Sequence, residues 1–321
     1  MSTHVQPVLE AAGPSVTQLL ARTEQRLAEI ASGHGDALAQ HAVSTLAAGG
    51  KRLRPVLVFV CAGNADSDDL VRAGVAAELL HMATLVHDDV LDRAPMRRGR
   101  PTVFWSAGRQ AATSTGDFLF SRAFAELVMT EDPGAVRALS AASSALAQGE
   151  LLQRADAFSA DVDEERYMER CRLKTGALFE AACRLGALLG DPGPAAADGL
   201  GAFGGRTGLA FQLFDDILDV SGPPDQTGKG RGTDLLDGTA TLPLILSRKA
   251  DPSLREVRPK STAEAEAICD RIQGTDAIDK SRDRALRLVA EAKTLIRDLD
   301  LSDTQRTALT LVADGVVERF S

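Results

Sequence analysis

Apolar residues recur every three and four positions through most of the chain, and strict two-residue alternation is nearly absent. That period belongs to amphipathic helices. It predicts helices over residues 15–31, 37–48, 68–92, 116–130, 134–156, 163–190, 197–221, 240–249, 262–273, 279–299 and 303–319. Glycine and proline punctuate them, at Gly49-Gly50, Pro95, Pro133, Pro192, Pro223-Pro224 and Pro252 among others. The run Val56-Leu57-Val58-Phe59-Val60 fits a buried helix or a buried strand. No linker sets a second domain apart. The chain therefore reads as all-α, one large helical bundle over residues 1–321, with a ragged start over residues 1–14.

Two of these helices carry near copies of one acidic segment, Leu85-Val86-His87-Asp88-Asp89-Val90-Leu91-Asp92 and Gln212-Leu213-Phe214-Asp215-Asp216-Ile217-Leu218-Asp219. The first and last Asp of each triplet lie four residues apart, on one helical face. A lone Asp-Asp-x-x-Asp is more often a solvated acidic face. Here apolar residues at helical spacing precede each triplet (Leu79, Leu80, Ala83 and Val86; Leu209, Phe211, Leu213 and Phe214), so the helices should be largely buried. Buried unpaired carboxylates are costly. Hard oxygen donors with open positions suit Mg²⁺, which keeps waters and shares itself with phosphates. Neither segment has the alternating ligands and central Gly of an EF-hand loop.

Cationic turns lie near these clusters. Gly49-Gly50-Lys51-Arg52-Leu53-Arg54-Pro55 joins two helical stretches, and Pro95-Met96-Arg97-Arg98-Gly99-Arg100-Pro101 follows the first Asp triplet. Lys174-Thr175-Gly176 and Gly228-Lys229-Gly230-Arg231-Gly232 add further cations at bends. Each turn taken alone is a solvated basic loop or a neutralising patch as readily as a phosphate cradle. Taken with the two acidic clusters, they outline a pocket for two diphosphates bridged by metal. Composition removes other functions. A net charge of −9 gives no bulk attraction to nucleic acid or anionic lipid, and 4% aromatic residues leave no stacking platform for bases. The four cysteines have no metal spacing and read as free thiols of a reducing cytoplasm. No run is long enough to span a bilayer, and no signal peptide is evident.

The segments GGKRLRP, ELLHMATLVHDDVLDRAPMRRGRPTVF, TGDFLFSRAF, GELLQ, KTGALFEAAC and FQLFDDILDVSG with GKGRGTDLLDGTATLPLI resemble the trans-polyprenyl diphosphate synthases, over about residues 45–248. The resemblance implies Mg²⁺, about three ions per site, held by Asp88, Asp92 and Asp215, with Asp89, Asp216 and Asp219 orienting them. It implies that Arg97, Lys174 and Lys229 grip an allylic diphosphate. Lys51, Arg54, His81 and Arg98 would bind isopentenyl diphosphate. Thr175 and Gln212 would present oxygens to a developing allylic cation. From the residues alone His81 is as well a core histidine, although it lies two turns before Asp88 on the same face. The family usually carries Lys where this chain has Thr239, two residues before Thr241-Leu242-Pro243.

By the same resemblance the product tail grows beside the helix of Asp88. Ala83 and Thr84, five and four residues before Asp88, are small where short-chain enzymes place an aromatic. This implies a trans-polyprenyl product of about six to ten isoprene units, because free space governs tail growth. Met82, Phe118 or Phe120 could close the tunnel sooner, as in a geranylgeranyl or farnesyl diphosphate synthase. A class I terpene cyclase usually alters the second Asp motif and needs no second diphosphate site. A non-catalytic subunit of a two-component synthase would lose the Asp motifs, and both are intact here. The resemblance also implies a homodimer.

Overall fold

The structure, a computed structural model, describes residues 5–222 and 230–318. It is all-α, with one two-stranded hairpin. The chain opens with α1 (Gln6–Ala12), α2 (Pro14–Ser32), α3 (Asp36–Ala47), α4 (Leu53–Cys61) and α5 (Asp68–Leu91). The strands β1 (Met96–Arg97) and β2 (Arg100–Pro101) follow, paired antiparallel with Arg97 opposite Arg100. Next come α6 (Val103–Val128), α7 (Pro133–Ala155) and α8 (Glu164–Cys171). A π-helical turn, Arg172–Gly176, joins α8 to α9 (Ala177–Leu189), and α10 spans Gly193–Ser221. The last elements are α11 (Thr233–Leu236), α12 (Leu242–Ala250), α13 (Thr262–Gln273), α14 (Ala277–Arg297) and α15 (Asp303–Glu318).

Polar caps set several helix starts. Ser67 accepts the Leu70 N–H at 3.2 Å ahead of α5, and Thr102 accepts the Trp105 N–H at 3.1 Å ahead of α6. Asp132 accepts the Gly134 N–H at 2.6 Å, with Pro133 in the first turn of α7. The ambiguous run 56–60 is helical. Val56, Leu57, Val58 and Phe59 are fully buried in α4, which packs on α5 and α9, and an all-round apolar helix belongs in such a core. Leu79, Leu80, Leu119, Phe179, Phe203 and Phe214 share this main core. A smaller cluster around Val220, Leu254, Ile268 and Ile272 sits under α13.

Three expectations need correction. Of residues 1–14, expected to be ragged, the described part carries α1 and the start of α2. Val8 and Leu9 of α1 are buried, and α1 packs on α15. A seven-residue helix is unstable alone, so distant packing decides it and local periodicity does not show it. The helix expected from residue 116 begins at Val103, because Gly108 (φ 86°, ψ 173°) kinks it and breaks the period. The helix expected over 163–190 contains the π turn that carries Lys174 and Thr175.

The acidic triplets lie at the C-terminal ends of α5 and α10, and α9 packs on both helices. α5 and α6 approach closely at Gly116, where a Cβ would stand 2.2 Å from His87 Nε2, beside Asp88. We expect Gly116→Ala to lower the melting temperature, with an overpacking cost of about 1–3 kcal/mol. Gly205→Ala in α10 is the control. Its Cβ would meet nothing closer than Glu180 Oε2 at 3.6 Å, and removing a mid-helix glycine should hold or raise stability. Thermal unfolding of both variants checks this; equal melting temperatures for Gly116→Ala and wild type would contradict the tight α5–α6 contact.

Candidate active site

The middle Asp of each triplet is held by protein, and the outer ones lie nearer the surface. Asp89 is buried and accepts from Arg97 Nε at 2.7 Å, across the turn into the hairpin. Asp216 is buried and accepts from Gln212 Nε2 and from the Tyr167 hydroxyl, each at 2.7 Å. Asp88 is half-buried, and Asp92 and Asp215 are exposed. Asp92 accepts from Arg154 Nη2 at 2.5 Å. Asp219 reaches forward instead: its carboxylate accepts the Thr233 and Asp234 N–H groups at 3.1 and 3.2 Å and so caps α11.

Lys174 stands between the two triplets. Its ammonium donates to Glu150 Oε2 at 2.5 Å and acts on Asp88, and its side chain lines one cavity with Gln212 and Asp216. The neighbouring Thr175 hydroxyl donates to Gln212 Oε1 at 2.7 Å. The π turn presents Lys174 and Thr175 together, and such turns are frequent at functional sites.

Charge at this rim is unbalanced. Burial pushes the Asp88 carboxyl up to about 6; Lys174 pulls the other way, and Glu150 and Asp92 add to the rise. Burial likewise pushes Asp216 up to about 7, against the pull of Gln212 and Tyr167. Asp234 is raised by burial and by Asp219, Asp216 and Asp215. Both triplets also sit at helix C-termini, whose dipoles add negative potential. Such oxygen donors fit a hard divalent cation such as Mg²⁺. Among the described residues no three His, Cys, Asp or Glu converge into a ready cage. That arrangement suits an ion that completes its shell with phosphate oxygens and water.

A basic cluster forms along α5, next to the first triplet. Arg52 opens α4 in the left-handed region (φ 49°), donates to the buried Glu78 at 2.8 Å and also pairs with Glu24. Arg54 lies over the Phe179 ring at 5.2 Å; burial lowers its guanidinium to about 10, and its Nε has no hydrogen-bond partner. Burial, then Arg54, Arg98, Arg97 and Arg52, hold the His81 imidazole well below its ordinary value, so it is neutral. Gly50 makes room here: a Cβ would stand 3.0 Å from Arg98 Nη1 and 3.1 Å from Arg52 Nη1. His81, Arg97, Arg98 and Glu78 line a common cavity. Arg52, Arg54 and Arg98 gather around the buried Glu78, with Arg97 on Asp89 beside them, and such a cluster favours an anion.

The structure thus brings Arg54, His81, Arg97 and Arg98 together next to the first triplet, and Lys174, Thr175 and Gln212 together beside Asp216. Lys51 is exposed and lines a different, largely apolar pocket with Val8, Leu53, Phe211 and Val312. Lys229 lies outside the described residues. Ala83 is fully buried, and the Thr84 hydroxyl turns back to the His81 carbonyl at 2.8 Å. Met82 is buried, the Phe118 ring meets that of His34 at 4.9 Å in a tilted arrangement, and Phe120 is 37% exposed beside Phe124. Sequence reading gave no role to Arg52, Glu78, Glu150, Arg154 or Tyr167. The Glu150/Arg154 pair was visible as an i, i+4 couple; the buried Glu78 had no local signal.

The model of the Polyprenyl synthetase family matches residues 36–273. Heptaprenyl diphosphate synthase component 2 of Geobacillus stearothermophilus is 37% identical over 300 residues, covering 88% of this chain and 94% of its own. The all-trans-nonaprenyl-diphosphate synthase (geranyl-diphosphate specific) of Rhodobacter capsulatus is 35% identical, covering 85% and 86%. Among solved structures, the polyprenyl synthase of Caulobacter crescentus CB15 complexed with calcium and isoprenyl diphosphate superposes with a TM-score of 0.88 at 32% identity, covering 99% of this chain and 98% of that one. Heptaprenyl diphosphate synthase of Staphylococcus aureus gives 0.89 at 29% identity, covering 95% and 99%.

The raised Asp216 carboxyl has a consequence for the metal-free protein. A carboxyl lifted from 3.8 to about 7 by folding favours the folded state at low pH, and that advantage is lost as pH climbs through this window. Asp216→Asn has no such loss. We expect it to gain on wild type by about 2 kcal/mol between pH 5 and pH 8 in EDTA. Chemical denaturation at both pH values checks this; a constant difference would contradict the burial of an uncompensated charge.

Proposed function

The chain belongs to the polyprenyl synthetase family and is a trans-prenyltransferase that elongates prenyl chains head to tail, and from that premise we propose that it condenses isopentenyl diphosphate onto an allylic diphosphate with Mg²⁺. The observation that carries this reading is an acidic rim, able to share a cation with phosphate, that adjoins a cluster of guanidiniums around a neutral His81. Asp88, Asp92 and Asp215 would hold the metal. When bound, Mg²⁺ supplies positive charge against the leaving diphosphate.

The side chains account for the rest. Lys174 and Arg97 add charge on the allylic diphosphate as its C–O bond breaks. Gln212 Oε1 and Thr175 Oγ1 form a fixed pair of dipoles beside the developing cation. Arg54, Arg98 and neutral His81 hold the diphosphate of the second substrate by donor hydrogen bonds. Its double bond then attacks the cation, and the released diphosphate takes the proton. Lys51 would act at the margin of this site.

For product length, Ala83 lies about 7–8 Å along the helix from Asp88 at 1.5 Å per residue. Its small, fully buried side chain supports a product of about six to ten isoprene units, since packing around it limits the tail. The stripe of Phe120, Phe124 and Val128 along α6, with exposed Trp105, supports association with a second copy. The name of the Geobacillus relative, a component 2, favours a second reading, in which another subunit completes the enzyme. No described helix is long and apolar enough to cross a membrane, and the four buried free cysteines suit a reducing cytoplasm.

Incubating the purified chain with isopentenyl diphosphate, an allylic primer and Mg²⁺, then sizing the dephosphorylated products, tests the reaction. Activity only on adding a second subunit would favour the second reading. Asp88→Ala should cut turnover by orders of magnitude with the helical fold intact, because its contribution falls in the transition state. Undiminished turnover in EDTA would overturn the metal assignment.

Ala83→Phe tests the length assignment separately. The added ring meets the growing tail after the early cycles, so the main product should shorten to about three or four units while condensation continues. An unchanged product length in mass spectrometry would place the floor elsewhere.

A further inference from the structure

The cavity of about 160 Å³ beside the second Asp triplet is lined by Lys174, Thr175, Gln212, Asp216, Thr239 and one further cation, Arg170. Arg170 has no place among the residues expected from sequence. It is 3% exposed, on α8, three residues after Tyr167 and four before Lys174. Tyr167 reaches Asp216 of α10, and Arg170 and Lys174 line the same cavity beside it. Its Nη2 donates to the Ala240 carbonyl at 2.8 Å, and its guanidinium lies over the Tyr167 ring at 5.3 Å. Its Nη1 is buried without a hydrogen-bond partner.

A buried guanidinium with an unused donor is costly unless the field around it is negative. That field is present, since the charge of Arg170 acts on both Asp216 and Asp234. The residue next to its Ala240 anchor is the uncharged Thr239, where the resemblance drawn from the sequence implies Lys. Thr239 is held by its N–H on the Asp234 carbonyl at 2.8 Å, so the loop from Asp234 to Ala240 is fixed and its side chain at 239 brings no charge. A cation missing from the loop and a cation with a spare donor in the helix beneath it therefore share one cavity.

We propose that Arg170 is a positioning residue for the allylic-diphosphate side of the site, supplying from α8 the positive charge that the resemblance implies at position 239. It acts through the Tyr167–Asp216 pair and through the 234–240 loop. The proposal rests on the reaction assigned above.

Four proteins test it: wild type, Arg170→Met, Arg170→Met with Thr239→Lys, and Arg170→Gln. Two readouts are needed, the KM for each substrate and the rise in melting temperature on adding inorganic diphosphate with Mg²⁺. Arg170→Met should raise the allylic KM about tenfold, with the isopentenyl diphosphate KM changed by less than about twofold. Its melting-temperature rise with Mg²⁺-diphosphate should shrink. Adding Thr239→Lys should recover both readouts, and should help more in that background than in wild type. Arg170→Gln keeps a donor for the Ala240 carbonyl and removes the charge; it carries the comparison if Arg170→Met does not fold, and should behave like it if both fold. A double variant as impaired as Arg170→Met, or Arg170→Gln binding like wild type, overturns the proposal. A wild type that forms no product but is stabilised by Mg²⁺-diphosphate overturns the reaction instead, and leaves Arg170 decided by the melting temperatures.

Discussion

Carboxylate repulsion at two helix ends organises this molecule. Six aspartates lie at the C-terminal ends of α5 and α10, where the helix dipoles already disfavour negative charge. The fold meets part of that cost with side chains. Arg97 neutralises Asp89, Gln212 and Tyr167 hold Asp216, and Arg154 bonds Asp92. The remainder shows in the raised Asp88 and Asp216 carboxyls. A site that is strained when empty binds cations tightly only when something else completes their shell, and phosphate oxygens do so. The burial that makes the empty rim unfavourable thus also makes it selective.

The basic cluster follows the opposite rule. Glu78 is the buried counter-ion for Arg52, and its field also reaches Arg54 and Arg98. Glu24 and Glu78 pair with Arg52 and Asp89 pairs with Arg97, which leaves Arg54 and Arg98 without a paired carboxylate among the described residues, so the positive charge there and burial keep His81 neutral. An anion can therefore enter without a metal. An acidic rim that adjoins a basic cavity suits the proposed reaction, in which one diphosphate would be held through a metal and the other directly.

Much of this was legible in the sequence. The period of three and four identified most helices within a few residues, and the duplicated Asp triplets located the acidic rim because apolar neighbours marked them as buried. What stayed hidden depended on distant packing. α1 is ordered by α15, which no local pattern reports. The start of α6 was masked by the Gly108 kink. Lys51 reads as part of the basic loop, yet the left-handed turn at Arg52 sends Arg52, and not Lys51, to Glu78. Arg170 looked like one more charge on an acidic and basic helix; only the fold shows it beneath Asp216, beside Thr239.

The proposed metal site would be incomplete without diphosphate. Isothermal titration of Mg²⁺ into the protein, alone and with a non-hydrolysable allylic diphosphate analogue, tests it most directly. The account predicts weak binding of Mg²⁺ alone and at least about tenfold tighter binding with the analogue present, with the same factor gained by the analogue when Mg²⁺ is added first. Equal Mg²⁺ affinity with and without the analogue would contradict it.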